Sequence, residues 1–539
     1  MVTIMLFGNS LAFAFGERLQ HSYAWTAQPT GATAILFALA ADSSENVLAA
    51  GSLFQLGNEG YQSDILLVKL DRNGSEVWSY LVGGPGEDEA KGLGTDRDGN
   101  VYLCGTFQNH VDFDPGPEVD LKAAPTAHPS LRNAFISKLT SDGTYQWTRS
   151  FQWEGDFAIG YGDALSWLPP DRLIVVGRFG GPIDFDPGAG VAPYSGGPTG
   201  MYVLELTTEG EFVSIGEFGG ATASYPTHVL SDAAGNIFYS TVFRGRVDFD
   251  PTPGTDYRNA ATIRDNFSVT KLNSDLSYAW TVTYRVWKGA LAVTPEGEVV
   301  VSGWLIGTVD FDPGPGEVLR TATRPGPGEL ERDTFVTKLN PDGAHVWTYT
   351  IGETSLDGGD SVAVDRDGGV LVNGHWFGGS MDFDASERVE EHVCNGFQCN
   401  FLLRLHAEGS FDWVKLTQHT ANFFGPPPIA VDSANNIYFA RDVQYSTDVD
   451  PTCEIDERDP LAQGGSSRFL TKLVYQSRTA DYDKDGDVDL FDLAAHQNCF
   501  AGEGSDTCQP GCDVFDLNPD NALDLADFAA LVALLGGPR

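Results

Sequence analysis

The chain has 539 residues, 42% of them hydrophobic and 12% aromatic, with 62 Gly and a formal net charge of −42. Such a chain can bury a large core, and Gly-rich turns between short apolar runs point to an all-β architecture. The charge excludes nucleic acid and anionic membranes as partners, because phosphates would be repelled; it suits an exported protein that is kept in solution by its charge or that binds cations.

The first segment reads MVTIMLFGNSLAFAFGE. Its apolar run ends in Ala12-Phe13-Ala14, the small-x-small pattern of a signal-peptidase site. Residues 1–16 are therefore expected to be a signal peptide, although the positive leading region is missing; a core strand is the alternative. No later apolar run reaches the about 18 residues needed to span a membrane, so no transmembrane segment is expected. Export implies an oxidising, extracellular compartment, with the cell surface as a second location. Seven cysteines fit this only in part. Cys394 and Cys399 flank NGFQ and suit a small closed loop, while Cys499, Cys508 and Cys512 cluster near the C-terminus and Cys453 is left for the odd one. Cys104 stands in a strand as a small hydrophobe. None of the pairs has zinc spacing with partner histidines.

After the leader comes HSYAWTA at His21–Ala27, a strand with a central Trp and nothing before it to pair with. Then a repeat begins. Strands ending in Lys-Leu or a close variant finish at Leu70, Leu139, Leu206, Leu272, Leu339, Leu405 and Leu473, spaced 69, 67, 66, 67, 66 and 68 residues apart. Each is followed by a turn such as DRNG, TSDG or NPDG, and most then by a Trp strand such as EVWSY, YQWTR or HVWTY. An apolar strand, a tight DG or NN turn and a strand such as VYLCGTF or VLVNGHW complete the unit. Four short strands per unit, separated by turn chemistry and repeated radially, make a propeller blade. The seventh Lys-Leu strand has no Trp strand behind it, so the orphan at residues 21–27 is expected to close the ring and leave no unpaired edge. The expectation is a seven-bladed β-propeller over 21–475.

Blades two to seven carry an acidic turn in the link between the second strand and the Lys-Leu strand: VDFDPG at Val111–Gly116, IDFDPG at Ile183–Gly188, VDFDPG at Val309–Gly314, and looser copies at Val247–Pro251, Met381–Asp384 and Val449–Pro451. In an extended segment Val111 and Phe113 point one way, to anchor the loop, and Asp112 and Asp114 the other, about 7 Å apart. An Asp ahead of Pro-Gly caps its own turn by accepting backbone N–H bonds. A cation site and an acidic ligand-binding crown are the alternatives. The links should all leave one face of the ring.

FISKLTSDGTYQWTRSF and GEDEAKGLGTDRDGNVYLCGTF resemble the bacterial seven-bladed propeller repeat family known as SBBP, over roughly residues 21–475. The resemblance implies the fold and no particular activity, since propellers host many.

The C-terminus is of another kind. DYDKDGDVDLFD at Asp481–Asp492 has the spacing of a twelve-residue EF-type loop: Asp481, Asp483 and Asp485 at positions 1, 3 and 5, Gly486 at the turn, the Asp487 carbonyl at 7, Val488 as the apolar pin, Asp489 at 9 and Asp492 at 12. DLNPDNALDLAD repeats it, with Asp516, Asn518, Asp520, the Ala522 carbonyl, Asp524 and Asp527 as oxygen donors and Asn521 at the turn. Both loops lead into apolar helical segments. Two calcium ions are the expected cofactors, and the clustered carboxylates should repel until the metal binds.

Two such loops, each ending in Asp and each followed by one helix, are similar to a type I dockerin module, expected over 479–537. That resemblance implies a cohesin-like partner and an association with extracellular polysaccharide breakdown. Where that family often carries Ser-Thr at loop positions 10 and 11, this chain has Leu490-Phe491 and Leu525-Ala526, which points to a different partner or to intramolecular packing.

No nucleophile elbow, zinc-protease helix, P-loop or dinucleotide fingerprint is present. Ser141–Trp147 resembles the sialidase Asp-box but differs in spacing, and Trp147 is read as core. His110, His345 and His375 are read as structural. The favoured function is a secreted, calcium-binding scaffold or ligand-binding propeller, with a polysaccharide hydrolase or lyase and a cell-surface adhesion protein as alternatives.

Overall fold

The computed structural model describes residues 19–477, apart from 28–33, 43, 58–59, 126–130, 154–158, 195–199, 220–223, 261–265, 287–288, 324–331, 353–355, 387, 395–397, 418–426, 444–446, 449–456 and 459–466, together with 505–506 and 522–523. Two compact units are present. The larger comprises Tyr23–Pro451 and Ile455–Leu473; the smaller comprises Met1–Ser22, Thr452–Glu454 and Val474–Arg539. In the smaller, Ser505–Asp506 pairs antiparallel with Ala522–Leu523. The expected signal peptide, the helical segments and every proposed calcium ligand except Ala522 lie outside the described residues.

The larger unit is a seven-bladed β-propeller of four-stranded antiparallel blades. The first strands of the blades are Ala34–Ala41, Glu89–Thr95, Ile159–Leu168, Tyr225–Ser231, Gly289–Val293, Gly358–Val364 and Ile429–Val431. Each touches the first strand of the next blade, and the seventh touches the first, so these strands line the axis of a closed ring. The second strands are Val47–Gly57, Val101–Phe107, Arg172–Gly180, Ile237–Phe243, Val299–Leu305, Val370–Trp376 and Ile437–Val443. The Lys-Leu motifs lie in the third strands, and the Trp motifs in the fourth. In the seventh blade the fourth strand is Leu19–Ala27, paired with Ser467–Ser477; Thr26 Oγ1 and Thr471 Oγ1 share a buried hydrogen bond at 2.8 Å. The orphan Trp strand does close the ring.

The composition of the middle strands follows from this placement. Val101–Phe107 and Asn133–Leu139 are buried at every residue, because a neighbouring blade covers each face. They therefore lack the alternation of a half-exposed strand, and even Asn133, Ser137 and Lys138 are buried among apolar neighbours. Buried apolar side chains gather into seven clusters, one at each seam between neighbouring blades. The cluster that closes the ring joins Leu36, Val47 and Leu66 to Tyr438, Ala440 and Leu470.

The Lys-Leu-turn-Trp signature proves to be a clasp between blades. A bulge falls between the two residues of the motif, for example Lys138 and Leu139. In blades one, four and five the Lys amine and the next fourth-strand Trp then reach the following blade's turn. Lys69 Nζ (3.3 Å) and Trp78 Nε1 (3.2 Å) both donate to the Ser141 carbonyl. Lys271 (2.9 Å) and Trp280 (3.2 Å) donate to that of Pro341, and Lys338 (3.4 Å) and Trp347 (3.0 Å) to that of Ala407. The turn Gly143 has φ +86°, and a Cβ there would meet the Trp78 ring at 2.6 Å, so glycine is required twice over. Trp147 is half-buried: its ring packs on the apolar cluster at the seam of blades two and three, as the core reading has it, and also lies against the turn at Gly210.

Candidate functional site

In an antiparallel blade, the link from second to third strand and the link to the next blade leave the same edge. That edge forms one face of the ring, the loop face. The five described acidic turns, in blades two to six, belong to it, as expected; the blade-seven copy at Val449–Pro451 lies outside the described residues. Each opens a short hairpin, such as His110–Asp112 with Leu121–Ala123. Val111 and Phe113 are buried, and Phe113 packs on Phe107 and Phe135. Asp112 Oδ1 accepts from the backbone N–H of Asp114 (3.2 Å) and Asp120 (2.9 Å), and Asp114 Oδ1 from that of Gly116 (2.7 Å). The same bonds recur at Asp184 and Asp186, at Asp310 and Asp312, and at Asp382 and Asp384. The carboxylates cap their own turns. Blade one has no such hairpin; its second and third strands run on to Gly57 and Gly60. Among the described residues no group of three or more His, Cys, Asp or Glu is placed to hold a metal ion.

The chemically varied residues lie nearer the axis. One register position in the second strand, opposite the residue five before the Leu of each Lys-Leu motif, holds Ser52, Thr106, Arg178, Val242, Trp304, His375 and Asp442 in blade order. The next position is always apolar: Leu53, Phe107, Phe179, Phe243, Leu305, Trp376 and Val443. Sequence reasoning missed this position because no motif marks it. Setting the seven repeats in register is the signal that finds it.

Around Arg178 a mixed cluster spans blades two to four. Asp163, at a bulge in its first strand, accepts from Arg178 Nε at 3.2 Å and lies 3.9 Å from Lys91 Nζ. Burial pushes its carboxyl up, against the pull of Arg178 and Lys91. The guanidinium lies 4.1 Å above the Tyr161 ring and 5.4 Å from that of Tyr225. Lys91 also faces Glu89 (3.5 Å), which faces Arg132 (3.7 Å), itself bound to Glu87. Nearby, Asp88 accepts from the backbone N–H of Gly84 and Gln108, yet burial raises it to about 6. His228, beside Ser240 and Thr227, is lowered to about 4 by burial.

Blades five and six bring together a second group. His375 Nδ1 and Asp360 Oδ2, both buried, share a hydrogen bond at 2.5 Å. The Trp304 and His375 rings meet edge-on at 5.8 Å, and the Arg332 guanidinium lies 4.4 Å over Trp304. His345 binds Thr348 Oγ1 at 2.9 Å, a local structural contact. Cys104 is buried and free, and Cys394 and Cys399 form a disulfide. A 390 Å³ cavity beside the blade-two hairpin has one charged lining residue, Lys122, already paired with Asp120.

Among known proteins, residues 77–106 match the family model described as SBBP, beta-propeller repeat. No curated protein matches the chain. Solved structures that resemble it include a protein of unknown function from Dyadobacter fermentans (12% identity, TM-score 0.36, 71% of this chain and 94% of that one). Others are the polysaccharide lyase Uly1 (10%, 0.38, 86% and 95%) and Sqt1 from Chaetomium thermophilum (9%, 0.32, 84% and 90%). Likenesses at these TM-scores carry no activity over to this chain.

Proposed function

We propose that the protein is an exported, ligand-binding propeller that takes up a polysaccharide segment on its loop face and carries a calcium-folded C-terminal docking module. One observation supports the ligand reading above the others. At one register position of the second strand, blades three, five and six hold Arg178, Trp304 and His375, of which Arg178 and Trp304 are partly exposed, and the flanking residue is uniformly apolar. Folding alone asks the same of each seam, and Ser or Thr meets it in blades one and two. Divergent polar and aromatic groups on one face are what a binding surface needs.

The test is the full chain against a panel of plant and algal oligosaccharides, with binding and release of new chain ends followed together. Binding without cleavage is expected, and weakening by Trp304→Ala and Arg178→Met places it on this face; a chain that binds none of the panel overturns the proposal. A hydrolase or lyase reading has one observation in its favour, the buried Asp360–His375 pair, which has the form of an oriented base. Cleavage lost in His375→Asn would establish it.

The calcium reading rests on the chemistry of the donors. Asp481, Asp483, Asp485, Asp487, Asp489 and Asp492 form one oxygen set, and Asp516, Asn518, Asp520, Ala522, Asp524 and Asp527 the other. Two ions should bind per full chain. Asp481→Ala and Asp516→Ala should each remove one, measured by calorimetric titration after chelation. Unchanged stoichiometry in both variants would overturn the assignment.

A further inference from the structure

We propose that the mouth of the seam between blades three and four is a subsite for an acidic sugar, a uronate residue stacked on Tyr225 with its carboxylate on the Arg178 guanidinium. This rests on the ligand-binding reading above and names the ligand class.

The argument begins with how Arg178 spends its donors. Its Nε edge is taken by Asp163. Neither terminal amino group donates to a described residue, and the side chain is 35% exposed. Asp163, its own side chain 8% exposed, and the Tyr161 ring beneath hold the guanidinium in one orientation. A guanidinium fixed along one edge presents a planar fork of N–H groups, which matches the two oxygens of a carboxylate.

The surroundings supply the rest. Tyr225, 38% exposed at the start of its strand, offers an aromatic face beside the fork. Aromatic faces of this kind receive the C–H side of a sugar ring. Lys91 adds a second positive charge 3.9 Å from the same carboxylate. The ion pairs of the wider network join three cations, Lys91, Arg132 and Arg178, to Glu87, Glu89 and Asp163, with the buried Asp88 beside Arg132. Its most buried members, Asp88 and Asp163, are anions, and the donors left over on Arg178 are cationic. With a chain charge of −42, long-range attraction cannot gather an acidic ligand; short, directed bonds must hold it.

Arg246 provides an internal control. It lies 3.7 Å over the Tyr257 ring on the blade-four hairpin, the same pairing of cation and aromatic, and none of the ion pairs among the described residues joins it to a carboxylate.

The experiment is calorimetric titration of the full chain with tetragalacturonate and tetramannuronate, each beside its carboxyl-reduced neutral form. At least one acidic tetramer should bind about tenfold or more tighter than its reduced form, the worth of a charge-assisted bidentate pair. Arg178→Lys should lose most of that preference, Arg178→Met all of it, and Arg246→Met none. Tyr225→Ala should weaken acidic and reduced forms alike. Equal binding of acidic and reduced forms, or full preference in Arg178→Met, overturns the subsite while leaving the ligand-binding reading standing. No binding of any tetramer, with a neutral glycan from the wider panel held through Trp304, also overturns the subsite alone. Failure of every glycan overturns both.

Discussion

Asp88 and His228 show how single buried groups set opposite slopes on stability. An unfolded Asp ionises near 3.8, whereas burial holds Asp88 to about 6. Between those values the native state keeps a proton that the unfolded chain has released. Stability therefore falls as pH rises through that window, by about 3 kcal/mol in all. An unfolded His ionises near 6.5, whereas burial lowers His228 to about 4. There the unfolded chain holds the extra proton, and stability rises with pH by about the same amount. The two nearly cancel. Asp88→Asn should uncover the His228 slope, so that the urea midpoint climbs from pH 4 to 6.5 more steeply than in the parent chain. An identical profile in the variant would refute the assignment. The clasp offers a second test at this scale. Lys271 and Trp280 both donate to the Pro341 carbonyl, so either alone keeps it satisfied. Lys271→Met and Trp280→Phe should each cost about 1 kcal/mol or less, and the double variant more than their sum. Simple additivity in denaturant unfolding would mean that the two bonds do not share an acceptor.

At the scale of the element, the acidic hairpin separates capping from cation binding by one pair of substitutions. Asp310 Oδ1 accepts from Asp312 N at 3.0 Å and Val318 N at 2.8 Å. Asn keeps the accepting oxygen and removes the charge, whereas Ala removes both. If the turn is only capped, Asp310→Ala costs about 1–2 kcal/mol and Asp310→Asn a small part of that. Equal losses in thermal unfolding would return the turn to the cation reading. The hairpin was legible because its alternation of apolar and acidic residues is a strand pattern closed by Pro-Gly. The clasp was not: an aromatic in a half-buried strand looks the same whether it faces a core or a neighbour's turn, and Trp147 touches both. The axial cluster was less legible still. Lys91, Asp163 and Arg178 lie far apart in the chain and have no motif in common, and they meet only because the ring sets adjacent first strands side by side.

At the scale of the molecule, the count and the closure could be read before any coordinates, because seven Lys-Leu strands and six complete repeats leave one fourth strand to be found. Leu19–Ala27 fills that place against Ser467–Ser477. An N-terminal strand that closes the ring serves as a non-covalent latch, since it reaches its blade through pairing and packing rather than through a connecting turn. Removing residues 17–27 should expose the third strand of blade seven as an edge. The loss of its ladder, at about 1 kcal/mol net per hydrogen bond, is accompanied by pairing between exposed edges of different molecules. Light scattering should then show dimers or larger species, with a lowered thermal midpoint. Damage by truncation alone does not distinguish a latch from a general loss of structure, so the deciding variant returns the strand by another route. In blade five the third and fourth strands are joined by Asn340-Pro341-Asp342-Gly343-Ala344, with a left-handed Gly343. Placing residues 19–27 behind Ser477 through that same five-residue turn makes blade seven covalently like the other six. If the ring needs only the strand, this rearranged chain is monomeric and its thermal midpoint returns to that of the parent or rises above it, because the latch has become intramolecular at short range. A rearranged chain that stays aggregated while the parent remains a monomer would show that the closure depends on more than the strand.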